Sequence, residues 1–144
     1  MCPDHALSVS KLVVAVDGSW QSTTAVKLAS EVAKGLAAEL TILHVIPSAE
    51  GRPPVAGTEG ARQERGGQSI LHAATGVAKA AGVEVKTELR KGRVADQILQ
   101  FAEHYKPDVI VMGSRGMSRE KGLLLGSVSQ AVSQYSKCSV LIVR

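Results

Sequence analysis

Five short runs rich in valine, isoleucine and leucine divide this chain at regular intervals, and they constrain its fold more than any other feature. Runs of this length and composition predict β-strands, whereas the apolar residues between them recur every three or four positions, as in amphipathic helices. The predicted strands are KLVVAV, ELTILHV, VEVKTEL, DVIVMG and SVLIVR, at residues 11–16, 39–45, 83–89, 108–113 and 139–144. The helical stripes cover residues 25–36, 70–81, 94–105 and 128–135. Strands and helices therefore alternate along the whole chain.

This alternation predicts an α/β fold of three layers. Right-handed crossovers between successive strands place them in one parallel five-stranded sheet with helices on both faces. The first, fourth and fifth strands are nearly continuous in apolar residues, as expected where helices cover both faces, while the third alternates apolar and polar residues and is predicted at an edge. A chain of 144 residues with 44% hydrophobic content fits a single domain over residues 1–144.

Single residues mark the expected ends of the helices. Ser19 and Ser127 are predicted N-caps of the first and fourth helices, Gly82 suits the C-terminal end of the second, and Pro107 stops the third. The stretch at residues 47–60 is rich in proline and glycine and predicts a mobile surface loop. The glycine pair at residues 66–67 predicts that the second helix begins late or frays.

Composition narrows the classes of function. The 17 Lys and Arg against 13 Asp and Glu are scattered, and 3% aromatic residues leave little for base stacking, so we expect no nucleic-acid partner. No apolar run or leader predicts a membrane span or export. Cys2 and Cys138 lack metal or redox spacing, and the four histidines lack metal-ligand spacing, so we expect a cytoplasmic protein without a bound metal cluster.

The expected ligand site lies beyond the carboxyl ends of the strands, where the strand order of an open α/β sheet reverses. Asp17 follows the first strand, and the segment GSRGMSREKGLLLGSVS, at residues 113–129, follows the fourth. If these two strands are neighbours, Asp17 and Gly113 border one crevice.

The glycine spacing in that segment, Gly113-x2-Gly116-x9-Gly126-Ser127, predicts a phosphate cradle. Gly113 and Gly116 permit backbone angles closed to other residues, and their amides, with those of Ser114 and Arg115, could form an anion-binding nest. The alternative is that these glycines only turn the chain. A predicted strand before the segment and a predicted helix after it favour the cradle.

The end of the segment adds a helix N-terminus. Gly126 would let a ligand approach the unpaired N–H groups of the fourth helix, where the helix dipole favours phosphate. Ser127 and Ser129 would add hydroxyl donors, although Ser127 could instead only cap the helix. Asp17 likewise has two possible roles, because a carboxylate before Gly-Ser can bind the ligand or accept amide hydrogen bonds from the first turn of the helix.

At these residues the chain resembles the universal stress protein family, in particular its ATP-binding branch. VVAVDGS, LTILHV and DVIVMGSRGMSREKGLLLGSVSQAVSQYSKCSVLIVR match the family's first strand, second strand and most recognisable segment. The resemblance covers nearly the whole chain and implies the strand order 3-2-1-4-5. It also implies that the Gly-x2-Gly-x9-Gly-Ser spacing is a mark of nucleotide binding.

The resemblance further implies a set of nucleotide contacts, a ligand and an assembly. The adenosine would be bordered by Asp17 and by the backbone near Ala15 and Val45. The ribose would be bordered by Met112 and Gly113. The phosphates would be surrounded by Gly116, Gly126, Ser127, Val128 and Ser129. Arg115 could pair with a phosphate or extend into solvent. The implied ligand is ATP, with or without magnesium, and the implied assembly is a homodimer formed through the fifth strand.

Enzymatic turnover has less support than binding. The chain has no G-x-x-x-x-G-K-[ST] motif, and Asp17 is the one carboxylate expected in the crevice. We therefore predict a nucleotide-dependent sensor or regulator in the stress response that acts on an unidentified protein partner. A slow ATP hydrolase is the alternative, and a flavin carrier using GSWQSTT with Trp20 ranks lower. A receiver domain is excluded, because LRKGR stands where its aspartate should follow the third strand.

Overall fold

The computed structural model describes residues 8–48, 57–115 and 125–144, and in these residues one parallel sheet lies between two layers of helices. The elements are β1 Lys11–Val16, α1 Trp20–Leu36, β2 Glu39–Pro47, α2 Thr58–Ala80, β3 Val85–Gly92, α3 Val94–Tyr105, β4 Val109–Gly113, α4 Ser127–Tyr135 and β5 Ser139–Val143. The strand order is β3-β2-β1-β4-β5, and every neighbouring pair is parallel. The predicted fold class and strand order are confirmed.

Side-chain alternation along the strands divides the core into two clusters. On one face Leu12, Val14 and Ile42 pack with buried residues of α1 and α2. On the other face Val13 and Leu43 pack with buried residues of α3 and α4. The central strands therefore bury both faces, which explains their nearly continuous apolar sequence. Among the described residues, no helix combines the length and hydropathy needed to cross a lipid bilayer.

The two edge strands differ from one another. β3 contains only half-buried and exposed residues and is the outermost strand on one side, which confirms its predicted edge position. β5 has the composition of a covered strand, but Val143 is its one fully buried residue and Leu141 is 37% exposed. The expectation that helices cover both faces of β5 is wrong, because this strand also lies at an edge of the sheet.

Three of the predicted helix ends are confirmed and one is wrong. The Ser22 N–H donates to Ser19 Oγ at 3.2 Å, so Ser19 caps α1. Gly82, with φ of 83°, follows the last residues of α2, and α3 ends two residues before Pro107. The N-cap of α4 is Gly126 rather than Ser127, which is the first helical residue, and no side chain among the described residues caps this helix.

The second helix contradicts the expectation drawn from its glycine pair. α2 begins at Thr58 and continues through Gly66 and Gly67. A Cβ atom at Gly67 would lie 2.8 Å from Leu89 Cδ1 and 3.2 Å from Ile46 Cδ1, whereas nothing lies within 4 Å at Gly66. Gly67 therefore allows the helix to approach β2 and β3 closely. The predicted loop at 47–60 is shorter at both ends, since residue 47 belongs to β2 and residues 58–60 to α2; residues 49–56 lie outside the described residues.

Side-chain hydrogen bonds connect neighbouring segments at the amino ends of the strands, opposite the expected site. Asp108 Oδ2 accepts hydrogen bonds from the backbone N–H groups of Ser10 and Lys11 at 2.7 and 2.9 Å, and these bonds hold the pKa of the Asp108 carboxyl below its ordinary value. Tyr105, at the end of α3, donates its hydroxyl to Glu39 of β2. Burial and this bond raise the pKa of Tyr105 to about 12.

Candidate functional site

A crevice opens where β1 and β4 stop pairing. The pairing between these two strands runs from Leu12↔Val109 to Val14↔Val111, although β1 continues to Val16 and β4 to Gly113. Beyond that point β1 stays paired only with β2, and β4 only with β5. The strands therefore diverge at their carboxyl ends, which is the predicted position of the site.

The crevice contains a cavity of about 430 Å³, a volume within the range of small-molecule sites. Its lining includes the following predicted site residues: Ala15, Asp17, Val45, Met112, Gly113, Arg115, Gly126, Ser127, Val128 and Ser129. Gly116, the remaining predicted residue, lies outside the described residues. The fold thus brings together residues of β1, β2 and β4, of the segments that follow β1 and β4, and of the first turn of α4.

Several lining residues were not assigned to the site by the sequence. They are Val16, Ser22, Leu43, His44, Pro47, Ile70, Val94 and Ile98. Val94 and Ile98 belong to the apolar stripe of α3, which the helical period assigns to the core, and the same stripe reaches the crevice at its first turn. Only His44 carried a sequence signal, through its position next to Val45.

Asp17 is anchored in the turn between β1 and α1. Its Oδ1 atom accepts the Ser19 N–H at 2.9 Å, as the structural alternative expected. Asp17 also makes a further polar interaction, is half-buried and lines the crevice. The two roles are therefore compatible, because the bond to Ser19 orients the carboxylate at the rim. Gly18 makes this turn with φ of 86°.

The two described glycines of the motif do not need unusual backbone angles. Gly113 lies in β4 and is absent from the described glycines of positive φ, so the expected special conformation is wrong at this position. A Cβ atom there would lie 3.2 Å from Gln21 Cβ and 3.3 Å from the Arg115 carbonyl oxygen, so close packing favours glycine. Gly126 has φ of −67° and ψ of 165°, an extended conformation open to any residue.

The first turn of α4 offers backbone donors to the crevice. The first helical hydrogen bond runs from the Gln130 N–H to the Gly126 carbonyl oxygen, so the N–H groups of Ser127, Val128 and Ser129 precede the intrahelical series. The turn contains no acidic residue, and none of the side chains that the structure describes caps it. Its N–H groups and the positive end of the helix dipole therefore favour an anion.

Ser129 is directed inward rather than toward a ligand. The residue is 3% exposed, and its hydroxyl lies 2.8 Å from the Gly113 carbonyl oxygen and 3.2 Å from that of Ser114. Carbonyl oxygens only accept, so the hydroxyl proton predicted to face phosphate is used within the protein. Ser129 instead fixes the start of α4 against the end of β4 and offers its backbone N–H to the crevice.

The remaining walls of the crevice are mainly apolar. Val45 of β2, Val94 and Ile98 of α3 and Met112 of β4 line it with apolar side chains. Asp17 is the one carboxylate among the described lining residues. In the described part of the chain, no three His, Cys, Asp or Glu side chains come together to hold a metal ion. The crevice thus combines an end whose backbone donors favour an anion with mainly apolar walls.

A second cavity, of about 470 Å³, lies at the other end of α3 and α4 and is lined by residues that include Lys106, Tyr135 and Cys138. The helix ends that border it are C-termini, whose carbonyl groups disfavour anions. This second cavity therefore lacks the helix N-terminal donors that distinguish the crevice.

These features define an open parallel α/β domain with a ligand crevice at the point where the strand order reverses. A sequence model described as the universal stress protein family matches residues 9–144. The chain belongs to the universal stress protein family.

Individual relatives agree with this assignment. Universal stress protein YxiE of Bacillus subtilis is 40% identical, and the match covers 94% of this chain and 99% of the relative. Universal stress protein MJ0531 of Methanocaldococcus jannaschii is 35% identical over 93% of this chain and 81% of its own length. Among solved structures, universal stress protein UspA from Lactobacillus plantarum superposes with a TM-score of 0.83 at 25% identity, covering 94% and 98% of the two chains. A universal stress protein in complex with cAMP gives 0.77 at 31% identity, covering 95% and 98%.

Proposed function

We propose that this protein binds an adenine nucleotide in the crevice, with ATP as the principal ligand, and that occupancy controls a protein partner in the stress response. The observation that carries the proposal is the acid-free first turn of α4, which no described side chain caps and which faces a cavity whose other walls are mainly apolar. An anionic phosphate suits the first feature and a flat heterocycle suits the second. The similar structure solved in complex with cAMP supports an adenine nucleotide as the ligand class.

The orientation of the nucleotide follows from the two ends of the crevice. Its phosphates lie against the N–H groups of Ser127, Val128 and Ser129. Its adenosine lies toward Val45 and Asp17, where β1 and β2 end. Arg115 is exposed at the crevice and already makes a polar interaction, so a phosphate contact there would exchange one partner for another.

We expect binding to dominate over catalysis. Phosphoryl transfer depends on positioned charge and usually on a metal ion, and Asp17 is the one carboxylate among the described lining residues. Asp17 lies at the adenosine end, so none of the described lining residues places a carboxylate beside the phosphates, where magnesium accompanying ATP would bind. A slow ATP hydrolase is therefore the alternative within the same site. Trp20 is 67% exposed and is not among the described lining residues, so it does not support a flavin carrier.

A substitution at Gly126 tests the phosphate end of the site. The extended backbone of Gly126 accepts valine, so Gly126→Val should fold, while its side chain occupies the space in which phosphate meets the helix. We expect calorimetry to show no ATP binding by this variant and circular dichroism to show an unchanged fold. Gly76→Val is the matched control, since Gly76 lies in α2 with nothing within 4 Å of an added Cβ.

Unchanged ATP affinity in Gly126→Val would contradict the phosphate cradle. Mass spectrometry of the purified, undenatured protein supplies an independent test of ligand identity. A bound flavin, or a bound metabolite without phosphate, would contradict the proposal.

We also propose that the protein forms a homodimer through β5. This strand lies at a sheet edge, its apolar residues are only partly covered, and an edge offers unpaired backbone groups to a second copy. The dimer is the assembly that the family resemblance implies, and β5 is adjacent to the β4 segment that lines the crevice.

A further inference from the structure

His44 is a buried titratable residue at the crevice that the proposed nucleotide contacts do not use. It is 6% exposed, lines the cavity, and places Nδ1 2.7 Å from the Val16 carbonyl oxygen. A carbonyl oxygen only accepts, so Nδ1 carries a proton and donates it in this bond. Within the described residues the ring makes no other hydrogen bond.

The hydrogen bond from His44 to Val16 lies where β1 is still paired with β2 but no longer with β4. β1 and β4 separate after Val14↔Val111, so Val16 is held within the sheet from the β2 side alone, where it pairs with His44. The side chain of His44 adds a second connection between the same two strands. It therefore holds the last residue of β1 at the rim of the crevice.

The held carbonyl belongs to the peptide group that joins Val16 to Asp17. Because a peptide group is planar, fixing its oxygen also fixes the direction of the Asp17 N–H and the start of the following turn. In that turn Asp17 Oδ1 accepts the Ser19 N–H at 2.9 Å. A chain of two hydrogen bonds thus leads from His44 to the carboxylate at the rim.

We infer that His44 is a positioning residue of the nucleotide crevice, holding the Val16–Asp17 peptide so that the Asp17 carboxylate meets the adenosine end of the ligand. The effect of His44 on ligand affinity rests on the nucleotide binding proposed above, whereas its hydrogen bond to Val16 does not. If His44 only packed against its neighbours, its role would not depend on a proton at Nδ1.

Two substitutions distinguish the effect of the Nδ1 donor from the effect of side-chain volume. The side-chain nitrogen of asparagine is attached to Cγ, as Nδ1 is, so His44→Asn keeps the donor toward Val16. The side-chain nitrogen of glutamine corresponds to Nε2, so His44→Gln loses that donor although glutamine is the larger residue. His72→Gln is the control, since His72 is exposed on α2.

The first measurement is ATP and ADP affinity by calorimetry. We expect His44→Asn to bind within about threefold of the wild type and His44→Gln about five- to tenfold more weakly, as expected for one lost hydrogen bond. The second measurement needs no nucleotide, because the Ser19 amide should exchange with solvent faster in His44→Gln than in His44→Asn. Equal affinities and equal exchange in the two variants would overturn the inference.

A third measurement uses the unmodified protein and does not depend on how well the variants fold. Nitrogen NMR of the imidazole should show the neutral His44 ring protonated at Nδ1, and protonation at Nε2 alone would overturn the inference. If the wild type binds no adenine nucleotide, the proposed function fails. The tautomer and the Ser19 exchange rates then still decide whether His44 holds the Val16–Asp17 peptide.

Discussion

The glycine pair in α2 offers a direct test of how closely this helix lies on the sheet. Gly66 and Gly67 are consecutive helical residues, but only Gly67 faces β2 and β3. The substitutions Gly66→Ala and Gly67→Ala add the same methyl group to the same helix. Their effects on the free energy of unfolding should nevertheless differ.

The magnitude follows from two opposing effects. Replacing glycine by alanine within a helix stabilises the protein by about 1 kcal/mol at either position, because alanine loses less backbone entropy on folding. At Gly67 the new Cβ would lie 2.8 Å from Leu89 Cδ1 and 3.2 Å from Ile46 Cδ1, so one of these side chains must move. Overpacking of this kind costs about 1–3 kcal/mol, and rotation of the Leu89 side chain favours the lower half of that range.

We therefore expect Gly66→Ala to raise the free energy of unfolding by about 1 kcal/mol and Gly67→Ala to leave it unchanged or lower it by up to about 1 kcal/mol. Urea unfolding followed by circular dichroism measures both values. The propensity gain cancels in the difference, which isolates the contact between α2 and the sheet. Equal stabilisation by both substitutions would refute the close approach, and no gain in either would place the start of α2 after the pair.

Three further predictions concern the site, the assembly and the sheet. Asp17→Ala should weaken ATP and ADP binding by similar factors, because both share the adenosine, and wild-type phosphate release should stay below about 1 s⁻¹; faster turnover that collapses in the variant while ADP affinity persists would indicate an enzyme. Light scattering at micromolar concentration should show a dimer that Leu141→Lys converts to monomer, and a monomeric wild type would contradict the β5 interface. Asp108→Asn should reduce the fall in the free energy of unfolding below about pH 4. A carboxyl whose folded pKa is lowered stabilises the fold above its unfolded pKa near 3.9 and loses this contribution as pH falls. Urea unfolding at pH 6 and pH 3 measures this fall, and an equal fall in the variant and the wild type would contradict the prediction.

The sheet and the position of the crevice could be predicted because they follow from patterns that extend over many residues. Alternating strand and helix periods, together with the right-handed crossover rule, predict that the strands are parallel. The family resemblance supplied the order of the strands in the sheet. The place of the site then depends on β1 and β4 being neighbours. No single side chain was needed for that conclusion.

Details that depend on one long-range contact could not be predicted. Gly67 looks like a helix breaker in the sequence, and only its approach to Leu89 shows why the helix tolerates it. Ser129 looks like a free hydroxyl donor, because its partner carbonyls on Gly113 and Ser114 lie outside its own helix. The N-cap of α4 was misplaced by one residue, because Gly126 and Ser127 are both acceptable caps by composition.

The uncapped start of α4 has a thermodynamic consequence for the whole domain. This helix has nine residues, fewer than the roughly 12–15 that an isolated helix needs in water, so its stability depends on what surrounds it. A phosphate at its first turn would act as a cap, and a ligand at one hundred times its dissociation constant would add about 2.7 kcal/mol to the stability of the folded state through linkage. Since α4 packs against α3 and β5, the proposed nucleotide would then control the stability of the edge strand through which we propose that the protein dimerises.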